Sequence, residues 1–88
     1  MKNRNGSPVV EEAGRKDACD KLITGAARIM VHEIGAPVDE MLDRLLTYVA
    51  AQACASHGSE AAAATFRIMA DRIEGGLFGA LEPRRNVQ

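Results

Sequence analysis

The sequence predicts an all-α protein: a compact bundle of three main helices with mobile N- and C-terminal tails. Three stretches repeat apolar residues at spacings of three and four, which is the period of one helical face. Glycine or proline separates these stretches, and none shows the alternation of a half-buried strand. The 88 residues suit one domain, which we expect over 17–82 between tails at 1–16 and 83–88.

The first predicted helix runs from Asp17 to Ile34. Asp17 is a suitable N-cap, and Gly35 suits a left-handed C-terminal cap. Gly25 costs about 1 kcal/mol relative to alanine in mid-helix, so we expect a neighbouring helix to cross closely there. The face predicted to be buried consists of Cys19, Leu22, Ile23, Ala26, Ala27, Met30 and Ile34.

The second predicted helix begins at Ala36-Pro37 and ends at Gly58. Proline at the first helical position lacks an N–H that would be unpaired anyway. The carboxylates of Asp39 and Glu40 then suit the positive end of the helix dipole. The apolar face is wide enough to contact two neighbours and consists of Val38, Met41, Leu42, Leu45, Leu46, Val49, Ala50, Ala53 and Cys54.

The third predicted helix has Ser59 as its N-cap and ends at Gly75-Gly76. Short connections make antiparallel neighbours of the three helices. Its predicted buried face consists of Ala62, Phe66, Met69, Ala70 and Ile73. A short apolar segment follows and is expected to form a helical turn over the core; its large residues are Leu77, Phe78 and Leu81.

Charge is unevenly distributed along the chain. Residues 1–16 carry four basic and two acidic side chains, and the last six add two arginines. Residues 17–82 carry ten acidic and five basic side chains, so the predicted domain is acidic. An acidic domain repels phosphate, which makes direct nucleic-acid binding unfavourable and favours a protein partner with a basic surface.

Composition limits the core and the cellular location. Aromatic residues make up 3% of the chain, so the core is thin, and dimerisation is one remedy that leaves a homodimer open. Cys19 and Cys54 form no CxxC pair and are expected to be buried, reduced thiols. Neither a signal peptide nor an apolar stretch of 18 residues is present, which predicts a cytoplasmic protein with no membrane segment.

No catalytic, metal or cofactor site is predicted. Cys54 and His57 form one loose pair, whereas a zinc site usually needs four ligands. Asp39 and Asp43 share a helical side, but a three-helix unit offers no desolvated cleft to separate their pKa values. The glycines of 75–79 follow a helix instead of preceding one, so they do not form a phosphate-binding loop. The chain is therefore predicted not to be an enzyme.

The alternative function is a small helix-turn-helix DNA-binding protein. The second and third helices have the required length, with Gly58 between them. Arg67, Arg72 and the basic tails would then contact DNA. Against this alternative, the third helix also carries Glu60, Asp71 and Glu74, which phosphate repels.

A protein-binding surface is the favoured interpretation. Acidic residues at the start of the second helix would steer a basic partner. Apolar residues outside the main faces, or beyond the third helix, would provide the contact. The candidate partner-binding residues are Asp39, Glu40, Asp43, Ile29, Val31, Leu77 and Phe78.

One segment, from Met41-Leu42-Asp43-Arg44-Leu45-Leu46 through Ala70-Asp71-Arg72-Ile73-Glu74, carries a resemblance to known regulators and covers under half of the chain. The chain resembles the small helical antiactivators that restrain quorum-sensing and excision activators of integrative conjugative elements. This resemblance implies a protein that binds a transcriptional activator and blocks it without touching DNA. It assigns no individual functional residue.

Overall fold

The computed structural model describes residues 11–83, which form helices and turns without a strand. The all-α class with three main helices is confirmed. Residues 1–10 and 84–88, which hold most of the two predicted tails, lie outside the described range. The elements in chain order are α1 (Glu12–Arg28), a π-helix (Ile29–Glu33), α2 (Val38–His57), α3 (Ser59–Glu74) and a 3₁₀ turn (Gly79–Leu81).

The chain divides into two units, Met1–Arg44 and Leu45–Gln88, with the division inside α2. The described part of the first unit contains α1, the π-helix and the start of α2. The second unit contains the remainder of α2, α3 and the 3₁₀ turn.

Helix α1 begins at Glu12, so the predicted start at Asp17 is wrong. Two ion pairs join residues four apart in the first half of α1: Lys16 Nζ lies 3.1 Å from Glu12 Oε2, and Lys21 Nζ lies 3.0 Å from Asp17 Oδ2. Acid placed four residues before lysine supports a helix, as does acid in the first turn. Residues 12–16 are therefore helical, although their sequence was interpreted as part of a tail.

The end of the first helical stretch widens into the π-helix, Ile29–Glu33. The amide of Ile34 donates to the carbonyl oxygen of Ile29 at 3.0 Å, which is the i→i+5 bond of a π turn. Gly35 then adopts a φ of +86°, which confirms the predicted left-handed stop. The widened turn itself was not predicted.

Gly58 is the single residue between α2 and α3. Its φ of +87° ends α2 at the predicted place, and its amide donates to the carbonyl oxygen of Cys54 at 2.9 Å. Its own carbonyl oxygen accepts from the amide of Ala62 at 3.0 Å, so Gly58 is also the N-cap of α3. The predicted N-cap, Ser59, is instead the first helical residue.

The end of α3 at Gly75-Gly76 is confirmed and has the hydrogen bonds of a Schellman motif. The amide of Gly76 donates to the carbonyl oxygen of Ile73 at 3.1 Å, and the amide of Leu77 donates to the carbonyl oxygen of Arg72 at 3.0 Å. Gly76 has a φ of +98°, which glycine adopts without a steric penalty.

The apolar faces of the helices are largely open to solvent in a single chain. Among residues 11–83 only Ala62 is buried, with 5% of its surface exposed. Leu22 is 74% exposed and Leu46 60%, so the expected burial of their faces is wrong for these residues. Apolar periodicity identifies a face, but burial needs a second element to cover it.

Three smaller expectations about packing also fail. Cys19 and Cys54 are exposed free thiols instead of buried ones. A methyl group at Gly25 would meet no atom of residues 11–83 within 4 Å, so the expected close contact is not seen there. The 3₁₀ turn after α3 forms as expected, but Leu81 is 79% exposed and covers no core.

Candidate functional site

The acidic candidates lie at the start of α2, in the first unit. Asp39 and Glu40 occupy the first helical turn, and Asp43 follows one turn after Asp39. All three side chains are exposed. Because residues four apart lie on one side of a helix, Asp39 and Asp43 can present their carboxylates to the same partner.

Asp43 already has a cationic neighbour. Its Oδ2 atom accepts a hydrogen bond from Nε of Arg44 at 3.2 Å and lies 3.2 Å from Nη2 of the same guanidinium. Both side chains are more than half exposed, so this pair contributes little to stability, but it offsets the charge of Asp43 locally. Asp39 and Glu40 form no ion pair with another described residue. Of the three acidic candidates, Asp39 and Glu40 are therefore the two whose charge no neighbouring cation offsets.

The apolar candidates of the first unit, Ile29 and Val31, both lie in the π-helix. Ile29 is 46% exposed, whereas Val31 is half-buried. A π turn places these side chains differently from the regular α spacing that placed them on either side of the main apolar face. Of the two, Ile29 presents the larger contact area to a partner.

Leu77 and Phe78 belong to the second unit and directly follow the Schellman motif of α3. Both are about half exposed. The left-handed conformation of Gly76 turns the chain sharply at this point, so Leu77 and Phe78 leave the path of the helix. The structure thus gives five candidates to the first unit and these two to the second.

Sequence reasoning assigned the apolar face of α2 to a core, although most of its large side chains are exposed. Five large side chains of α2 are each at least half exposed: Val38, Leu42, Leu46, Tyr48 and Val49. Except for Tyr48, these residues belong to the face predicted from the helical period. The signal was therefore present in the sequence, but it indicated an apolar face without showing what covers it.

No candidate metal site is formed by the part of the chain that the structure describes. No group of three or more His, Cys, Asp or Glu residues is placed to hold a metal ion within 11–83. Shallow, open depressions lie along α1, lined by side chains such as Lys16, Cys19, Asp20 and Arg28. No helix within that range is long and apolar enough to span a bilayer.

The residues of the DNA-binding alternative are exposed on α3 but lack the expected geometry. Arg67 and Arg72 are five residues apart on one continuous helix, so they lie on different sides of it. A helix-turn-helix motif uses a turn of three to four residues, whereas only Gly58 separates α2 from α3. These observations do not favour the alternative.

Comparisons with known proteins add no relative: no family model, no curated protein and no solved structure matches this chain. The function of the chain is therefore inferred from its exposed acidic and apolar surfaces.

Proposed function

We propose that this chain is a small, non-enzymatic cytoplasmic regulator that acts by protein–protein binding, as an antiactivator that sequesters a transcriptional activator. The observation that carries the proposal is the amount of large apolar surface left open on helices with well-defined ends. Exposed contiguous apolar surface is typical of sites that bind another macromolecule. Acid beside that surface selects a partner whose exposed face is basic.

The mechanism combines charge steering with apolar contact. The carboxylates of Asp39 and Glu40 attract the basic surface with which an activator contacts DNA. Apolar side chains, Ile29 in the first unit and Leu77 and Phe78 in the second, then supply contacts that lose water on binding. An activator held in this way has its basic surface covered and is unable to bind phosphate.

Affinity capture from the native host, with and without nuclease, tests the proposal. We expect a transcription regulator to be retained after nuclease treatment. Recovery of only nuclease-sensitive material, or salt-sensitive binding of duplex DNA by the purified chain, would contradict antiactivation.

The captured partner then allows the steering residues to be measured. Asp39→Lys should slow association and weaken its dependence on salt. Asp43→Lys should have a smaller effect, since Arg44 already offsets that carboxylate. Glu60→Lys makes the same charge change in the first turn of α3 and serves as the matched control. Equal association rates for all three variants would remove the steering role from Asp39.

A further inference from the structure

Helix α2 is bulky at one end of its apolar face and small at the other. Four large side chains of this face, including Leu42 and Leu46, are at least half exposed, whereas Leu45, Ala50 and Ala53 are half-buried. The 20 residues make a helix about 30 Å long. The N-terminal part of the face carries Val38, Leu42, Leu45 and Leu46. The C-terminal part carries Val49, Ala50, Ala53 and Ser56, of which only Val49 is large. Facing positions pack best when large residues meet small ones.

We propose that this face pairs antiparallel with the same face of a second copy of the chain. A two-fold axis near Thr47 places the bulky part of each α2 on the small part of its mate. Such an interface is self-complementary, because each contact from one copy is repeated by the other. The inference concerns α2 alone and does not depend on the proposed antiactivator function.

Charge on α2 favours the antiparallel direction. Three carboxylates, Asp39, Glu40 and Asp43, lie near its N-terminus, and His57 is its last residue. A parallel pair would place the two acidic turns side by side, where like charges repel. An antiparallel pair separates them to opposite ends and sets each beside His57 of its mate, where the helix dipoles also have opposite sign.

Large apolar side chains of this face are open to a second copy. Val38, Leu42, Leu46 and Val49 are each at least half exposed, so a second helix can still remove a large part of each side chain from water.

Sedimentation equilibrium of the full chain tests the proposal directly. We expect twice the mass of the 9.4 kDa chain at micromolar concentration. Leu46→Glu should weaken self-association by about a hundredfold or more, since it places a charge in the centre of the apolar interface. Thr47→Glu introduces the same charge one residue away, about 100° around α2 and outside the residues of its apolar face, and should remain dimeric. A monomeric wild-type chain, or a Leu46→Glu variant as dimeric as Thr47→Glu, would overturn the inference.

Cross-linking tests the direction without a disruptive charge. Single cysteines are introduced into a Cys19→Ser, Cys54→Ser background and treated with a short bismaleimide. Leu46→Cys lies near the proposed axis and should cross-link to its mate. Val38→Cys should not, since antiparallel pairing separates the two copies of that residue by roughly 25 Å along the helix. Efficient cross-linking at both positions would indicate parallel pairing. Cross-linking at neither position would indicate that the α2 face does not contact a second copy. Either result would contradict the proposal.

Discussion

Replacing Gly25 by alanine tests whether α1 has a close neighbour at its middle. Gly25 lies inside the helix, and an added methyl group would meet no atom within 4 Å. Alanine is favoured over glycine in a helix interior by about 1 kcal/mol, largely because it loses less conformational freedom on folding. We therefore expect Gly25→Ala to raise the free energy of unfolding by about 0.5–1 kcal/mol.

Gly58→Ala is the matched substitution with the opposite sign. A methyl group at Gly58 would also enter open space, so both variants add the same atom without a clash. Gly58 differs in its backbone, because its φ is +87°. A residue with a β-carbon pays about 1–2 kcal/mol in the left-handed region, so Gly58→Ala should lower the free energy of unfolding by that amount.

Thermal unfolding followed by far-UV circular dichroism distinguishes the two effects. For a domain of this size, 1 kcal/mol corresponds to a shift of about 4–8 °C in Tm. Gly25→Ala should therefore raise the Tm by a few degrees, and Gly58→Ala should lower it by at least as much. A lower Tm for Gly25→Ala would mean that another helix does cross α1 closely. An unchanged Tm for Gly58→Ala would refute the argument from its backbone conformation.

Three further outcomes are expected. Gly76→Ala should lower the free energy of unfolding by about 1–2 kcal/mol in urea titration, because φ is +98° there; a neutral result would contradict the Schellman geometry. Lys21→Gln should cost no more than about 0.5 kcal/mol in the same titration, since its ion pair with Asp17 is exposed; a loss several times larger would show that the pair is buried. Cys19 on α1 should react with a chromogenic thiol reagent about as fast in the native chain as in urea, and strong protection of this thiol would indicate that it is covered.

Helix ends marked by glycine were the most predictable part of the fold. Gly35, Gly58 and Gly76 each need positive φ, which other residues adopt only at a cost, so their positions in the sequence fix where helices stop. The residues at which the helices start were less predictable. The sequence gives no comparably exclusive signal there, and the charged residues before Asp17 fit both a tail and a first turn supported by ion pairs.

The sequence names the candidate residues but does not show the surface that they form. All of them are exposed except the half-buried Val31. Two features needed coordinates: the π turn that holds Ile29, and the Arg44 guanidinium beside the carboxylate of Asp43. A period of 3.6 assumes regular helix, and residue spacing does not state which rotamer a charged side chain adopts.

The exposed face of α2 links the stability of the chain to whatever covers it. Isolated helices are marginal in water, and most helical stability in proteins comes from packing of the apolar face. Leu46 is 60% exposed, so its further burial would contribute on the order of 1 kcal/mol in each copy. If a second copy provides that burial, folding and association are coupled and the Tm must rise with protein concentration. A Tm independent of concentration would instead require the three helices to be stable without covering this face.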